Sequence, residues 1–144
     1  MNINQVADDY AVSGQICEAD LVTIKQRGFT TVICNRPDQE IEAALHAAFI
    51  EAEAKRLGLA FHYNPVSNQG MTMENVTAQA AVLAAASGPV FAYCRSGMRS
   101  AVCWSFANAG RLPVDDIVAA TAAAGYNLEN MRPQFQALAA QSQP

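Results

Sequence analysis

One short segment of the chain combines a nucleophile, two cations and a glycine. It directly follows the apolar run 90–93 and consists of Cys94, Arg95, Ser96, Gly97, Met98, Arg99 and Ser100. The pattern predicts a buried strand ending before Cys94 and a helix beginning a few residues later. The first amides of a helix lack partners within the helix and attract negative charge. Together with Arg95 and Arg99, these amides favour the thiolate form of Cys94, which is the nucleophilic form of cysteine.

The elements around this segment alternate between strands and helices. Strands are predicted within 3–14 and at 29–34, 59–63 and 90–93, and helices at 18–27, 40–57, 74–86, 100–109, 114–124 and 129–140. This alternation predicts an α/β fold with a mainly parallel sheet. Ligands of such sheets bind at the carboxyl edge of the strands, which is where the Cys94 segment begins.

Composition limits the classes of protein that the chain can belong to. Its 144 residues, 51% hydrophobic and 15% charged, predict a single folded domain over residues 1–144. A net charge of −4 argues against a general nucleic-acid binder. No apolar run approaches the roughly 20 residues needed to cross a bilayer, so no membrane partner is expected. The polar, acidic start MNINQVADDY lacks the features of a signal peptide, and we expect a cytoplasmic protein.

The cysteine and histidine pattern indicates no metal or other cofactor. The chain has four cysteines without a C-x-x-C spacing and two histidines, so a structural zinc site is not expected. Cys34 ends a strand on the edge where Cys94 lies, and two interpretations stay open. It is either a second thiol that reacts with Cys94 or, more commonly for such a residue, a small core side chain.

The residue patterns resemble two protein families at once. The segment 94–100 resembles the loop of rhodanese-type sulfurtransferases, which carries an arginine five positions after its cysteine. The rest of the chain resembles the frame of a dual-specificity phosphatase in four segments: VSGQ (12–15), GFTTVI (28–33), NRPD (35–38) and HYNPV (62–66).

This combination is similar to a family of small bacterial domains described both as sulfurtransferases and as phosphatase-like. These domains occur alone or fused to a metallo-β-lactamase-like persulfide dioxygenase. The resemblance covers residues 2–135. It implies a cysteine-phosphatase-like fold, with a central, mainly parallel sheet of four to five strands flanked by helices. It also implies that Cys94 is the nucleophile and Arg99 the anion-clamping arginine.

Two departures from the phosphatase pattern favour sulfur chemistry. Phosphatases of this kind carry the arginine six positions after the cysteine, where this chain has Ser100, so the loop is one residue shorter and encloses less space. Their frame also places an aspartate in the loop that here spans 64–73, where no carboxylate occurs and Asn68 stands instead. Phosphate esters benefit from such an acid by about 10²–10⁴ in rate, whereas sulfur transfer does not need it. Asp38, Glu40 or Glu74 remain as substitute acids.

We therefore expect a rhodanese-like sulfurtransferase that moves sulfane sulfur from thiosulfate or a small persulfide, through a Cys94 persulfide, to a thiol acceptor. A persulfide dioxygenase is its candidate protein partner. The alternatives are a cysteine-dependent phosphatase acting on phosphoesters through a phosphocysteine, and a non-catalytic anion-binding or redox-sensing module. In all cases the expected site has Cys94 and Arg99 at its centre. The remaining residues of the anion-binding loop are Arg95, Ser96, Gly97, Met98 and Ser100, and the expected pocket rim is Arg36, Asp38 and Asn68.

Overall fold

The computed structural model describes residues 1–141, and within them one five-stranded sheet forms the centre of the molecule. Its strands are β1 (Asn4–Ala7), β2 (Tyr10–Ser13), β3 (Thr31–Cys34), β4 (Ala60–Tyr63) and β5 (Val90–Tyr93). Their order across the sheet is β1-β2-β5-β3-β4. Strands β2, β5, β3 and β4 run parallel, and β1 pairs with β2 in the antiparallel sense. The predicted α/β fold with a mainly parallel sheet is confirmed.

Six α-helices flank this sheet in the described part of the chain. They are α1 (Asp20–Gln26), α2 (Ala47–Arg56), α3 (Met73–Ala85), α4 (Met98–Asn108), α5 (Val114–Ala123) and α6 (Arg132–Gln141). Short 3₁₀ turns lie at Asp38–Glu40, Ala43–Leu45 and Glu129–Met131. None of the helices within residues 1–141 is long and apolar enough to span a membrane.

The three inner strands β2, β5 and β3 are buried on both faces because helices cover both faces of the sheet. Successive side chains of a strand point to opposite faces. Val12, Ile33 and Ala92 therefore pack on one side with residues of α4 and α5, while Val32 and Phe91 pack on the other side with residues of α1 and α2. The hydrophobic core thus lies on the two faces of the sheet, and the loops that follow the parallel strands lie at its edge.

The predicted helix over 40–57 is wrong in its first turns. The structure has two 3₁₀ turns there, and α2 begins only at Ala47. Ile41 and His46 adopt extended backbone conformations. The Asp38 carboxylate accepts a hydrogen bond from the first amide of α2, Ala47 N–H, at 2.8 Å. Contacts made by Asp38 and Glu40 with other elements thus outweigh the helical propensity of the segment.

Candidate active site

The Cys94 loop leaves the middle of the sheet, and the loops after the neighbouring strands surround it. Cys94 N–H donates to the Ser13 carbonyl at the end of β2 at 3.3 Å. On the other side, Asn35 N–H donates to the Tyr93 carbonyl at 2.8 Å. The carboxyl ends of β2, β5 and β3 therefore meet at one edge, as expected for a ligand site in a parallel sheet.

The loop folds back so that a backbone amide donates to the cysteine sulfur. Gly97 N–H lies 3.1 Å from Cys94 Sγ, and Cys94 is 1% exposed. Gly97 adopts a φ of +95° and immediately precedes α4, so the sulfur lies at the amino end of that helix. A sulfur in this position receives both the hydrogen bond and the favourable field of the helix. The side chains of Arg95, Ser96 and Met98 are exposed around it.

Two glycines permit the close packing of this loop. A Cβ on Gly14 would lie 2.8 Å from the Arg95 carbonyl oxygen, so glycine is needed where the chain leaves β2 and contacts the loop. A Cβ on Gly97 would overlap the Tyr126 hydroxyl. Together they show that the loop is held against β2 on one side and against the segment after α5 on the other.

Arg99 is held rigidly at the same edge of the sheet. Its guanidinium donates to both carboxylate oxygens of Glu40, at 2.8 and 2.7 Å, and to the Val66 carbonyl at 2.6 Å. Glu40 Oε1 also accepts a hydrogen bond from Arg36 Nε at 3.4 Å. The hydrogen bonds and charge of Arg99 lower the pKa of the Glu40 carboxyl, with a smaller effect in the same direction from Arg36. Glu40 is therefore ionised and positions two arginines.

The predicted rim residues have three different environments. Arg36 lies at the site edge, between Glu40 and the Gln15 side-chain oxygen at 3.3 Å. Asp38 uses its carboxylate to cap α2, so its role in the structure is to fix a helix. Asn68 is exposed in the loop 64–73 and lines a cavity of about 380 Å³ together with Arg99.

The remaining cysteines do not share the environment of Cys94. Burial raises the pKa of the Cys34 thiol to about 11 and that of the Cys103 thiol to about 12. Cys34 Sγ donates to the Arg36 carbonyl at 3.3 Å. Both thiols stay protonated near neutral pH, which agrees with the interpretation of Cys34 and Cys103 as small core side chains. Cys17 is exposed. Within residues 1–141, no cluster of three or more His, Cys, Asp or Glu side chains could hold a metal ion.

A buried network of polar side chains, which the sequence analysis did not predict, joins the start of α4 to the loops after β3 and β4. Ser100 Oγ donates to Asn35 Oδ1 at 2.9 Å, and the fully buried Gln79 donates to the same oxygen at 3.2 Å. Asn64 donates to Gln79 Oε1 at 2.8 Å, which extends the network to the loop after β4. Tyr10 Oη donates to the Ser100 carbonyl at 2.9 Å. A glutamine in an otherwise alanine-rich helix was the one sequence signal of this network.

The fold and this loop define a class, that of cysteine-phosphatase-like α/β domains. The same fold occurs in Tk-PTP (13% identity, TM-score 0.72, 96% of each chain covered) and in PTPMT1 (13% identity, TM-score 0.69, 97% of this chain and 99% of that one). A more similar structure is that of a Neisseria meningitidis protein proposed to be a phosphatase. It is 36% identical, with a TM-score of 0.82, and the match covers 96% of this chain and 99% of that one.

The chain belongs to the family described as the phosphatase-like domain of beta-lactamase hydrolase-like proteins, whose model matches residues 2–111. A beta-lactamase hydrolase-like protein of Xylella fastidiosa is 28% identical over 130 residues. The match covers 89% of this chain and 30% of the Xylella protein, so the chain spans about a third of the length of this relative.

These findings correct the expected sulfurtransferase function. The family and the similar structures are phosphatase-like, and none of them carries a sulfurtransferase description. The error lay in giving two local departures, the loop that is one residue shorter and the missing acid in 64–73, more weight than the frame around the loop. Although it comes one residue earlier than in the phosphatase pattern, Arg99 stands in the first turn of α4 and reaches the loop after β4 at Val66.

Proposed function

We propose that this domain is a cysteine-dependent phosphatase that hydrolyses phosphomonoesters through a phosphocysteine on Cys94. The observation that carries the proposal is the position of the Cys94 sulfur. It lies at the carboxyl end of the central strand and the amino end of α4, and it accepts a hydrogen bond from Gly97 N–H. Membership of a phosphatase-like family supports the same chemistry.

In the first step, the Cys94 thiolate attacks phosphorus, the S–P bond forms and the P–O bond to the leaving group breaks. The leaving oxygen departs with the electron pair. In the second step, water attacks phosphorus and the S–P bond breaks, which returns the thiolate and releases inorganic phosphate. Amides of the loop and Arg99 provide hydrogen-bond donors for the phosphoryl oxygens, on which negative charge is spread in the transition state.

The acid that would protonate a leaving group has no evident counterpart near the loop. Residues 64–73 contain no carboxylate. Asp38 caps α2 and Glu40 is paired with Arg99, so the structure engages two of the three substitute candidates elsewhere. The third, Glu74, is exposed in the first turn of α3. We therefore propose substrates whose leaving group departs readily without a proton, as an aryl oxide does. Poor alkyl leaving groups should react about 10²–10⁴-fold more slowly than they would with an acid in place.

The test measures release of inorganic phosphate from a series of aryl phosphates and from an alkyl phosphate of similar size. We expect turnover of the aryl esters, with rates that rise steeply as the leaving group becomes more acidic. Cys94→Ser should show none, while Cys17→Ser, which removes an exposed thiol away from the loop, should behave as wild type. Acid quenching during turnover should leave one phosphoryl group on the wild-type protein, and its position on Cys94 is checked by peptide mass. Activity that survives in Cys94→Ser overturns the proposal.

A further inference from the structure

One peptide group of the loop contacts both Cys94 and a residue far along the chain. This is the peptide between Ser96 and Gly97. Its carbonyl oxygen accepts a hydrogen bond from the Tyr126 hydroxyl at 2.8 Å. Its N–H donates to Cys94 Sγ at 3.1 Å. The two hydrogen bonds therefore act on opposite ends of one rigid unit.

The geometry of the peptide couples these two contacts. A peptide group is planar, and in the trans form its C=O and N–H point in opposite directions. No cis peptide bond occurs in residues 1–141. A donor that holds the Ser96 oxygen on the outside of the loop therefore holds Gly97 N–H toward the sulfur. Because glycine tolerates most backbone conformations, Gly97 by itself does little to prevent this peptide from flipping. A flipped peptide would present its oxygen to a thiolate, which is repulsive.

The residues around Tyr126 leave its hydroxyl hydrogen available for the Ser96 carbonyl. Tyr126 is 7% exposed and follows α5. Asn4 Nδ2 donates to its hydroxyl oxygen at 2.9 Å, so the hydroxyl hydrogen remains for the Ser96 carbonyl. Burial raises the pKa of Tyr126, and the negative charge of a Cys94 thiolate adds to the increase. Tyr126 therefore remains a hydrogen-bond donor when Cys94 is ionised.

We propose that Tyr126 is a positioning residue that holds the Ser96–Gly97 peptide in the orientation in which Gly97 N–H stabilises the Cys94 thiolate. The inference rests on the proposed function in one respect, namely that Cys94 acts as a thiolate. Tyr126 contacts the loop backbone from outside, so it acts through the peptide and not on the substrate.

The experiment compares wild type with Tyr126→Phe, which keeps the ring and removes only the hydroxyl. Both proteins carry Cys17→Ser, because Cys17 is exposed and would react as well. The rate of Cys94 alkylation by iodoacetamide is measured from pH 5 to pH 10. We expect the rate at neutral pH to fall about 3- to 10-fold in Tyr126→Phe, as is typical for loss of one hydrogen bond between neutral groups, and the profile to move to higher pH. Asn4→Ala should cause a smaller change in the same direction.

The matched control is Ile117→Val, which removes one methylene from the core that also contains Tyr126. It lowers stability without touching the loop, so its alkylation profile should match that of wild type. A Tyr126→Phe profile equal to that of Ile117→Val overturns the proposal. The readout is independent of phosphatase turnover. If wild type releases no phosphate but Tyr126→Phe still shifts the alkylation profile, the proposed function fails and the positioning role stands.

Discussion

Arg99 and Glu40 form a two-bonded ion pair across 59 positions of sequence, with Nη1 at 2.8 Å and Nη2 at 2.7 Å from the two carboxylate oxygens. Both side chains are largely buried, at 14% and 18% exposure. A planar guanidinium held at two points cannot rotate freely, so its remaining donors keep one direction. The role of Glu40 in this pair is to hold the Arg99 guanidinium in one orientation, which its residue type alone did not reveal.

Replacing Glu40 with glutamine should weaken catalysis by releasing Arg99. Glutamine keeps one acceptor but removes the charge and the two-bonded geometry. We expect kcat/KM for an aryl phosphate to fall about tenfold, the size of effect that follows from losing about 1.4 kcal/mol of transition-state stabilisation. Glu53→Gln is the control, because Glu53 pairs with Arg56 at the surface of α2, away from the loop. A rise in activity for Glu40→Gln would instead identify Glu40 as a competitor for the anion site.

An acid placed at position 68 should extend the activity to poor leaving groups. Asn68 lies in the loop that lacks a carboxylate and shares a cavity with Arg99. We expect Asn68→Asp to raise the ratio of alkyl to aryl phosphate hydrolysis by about tenfold or more, as partial recovery of acid catalysis. Gln69→Asp adds the same charge at the next residue, which does not line the cavity, and should leave the ratio unchanged. Equal ratios for both variants would exclude position 68 as the place for an acid.

An alanine at position 97 should disrupt the loop far more than an alanine at another glycine of the same conformation. Gly97 and Gly28 both have a φ of +95°, so both substitutions introduce the same backbone strain. At Gly97 the new methyl would also overlap the Tyr126 hydroxyl, whereas at Gly28 it meets nothing within 4 Å. We expect Gly28→Ala to cost about 1 kcal/mol of unfolding free energy and Gly97→Ala a further 1–3 kcal/mol, approximately, together with loss of phosphatase activity. Urea unfolding and phosphate release measure the two effects, and equal costs would contradict the close contact with Tyr126.

The buried thiols should destabilise the fold at alkaline pH. Cys34 and Cys103 have folded-state pKa values of about 11 and about 12, above the value of about 8.5 for a free thiol. The unfolded chain therefore releases these protons first, and the free energy of unfolding falls as pH rises from about 8.5 toward 11. A Cys34→Ala, Cys103→Ala double variant should lose less stability over this interval than wild type, as measured by urea unfolding at each pH. Parallel pH profiles would show that these thiols are not protected in the folded state.

Local sequence was sufficient to single out the Cys94 loop and to predict most elements of the frame. The apolar run 90–93, the glycine and the arginines of 95–99 mark a strand, a turn and a helix start, because each of these signals acts over a few neighbouring residues. The alternation of strands and helices also predicted the parallel sheet that the structure contains. The choice of sulfur over phosphorus was wrong because two departures, one in the Cys94 loop and one in the loop 64–73, were weighed above the phosphatase-like pattern of the rest of the chain.

Tertiary structure alone decided which residues support the loop. Glu40 lies in a segment with a helical sequence pattern, yet in the structure it ends a 3₁₀ turn before α2 and pairs with Arg99. Tyr126 follows α5 and reaches the Ser96 carbonyl, and Gln79 joins Asn35 to the loop after β4. These contacts join residues 15 to 59 positions apart. Their energies depend on distances and burial that form only when the sheet brings its strand ends together, so no local pattern of residue types could reveal them.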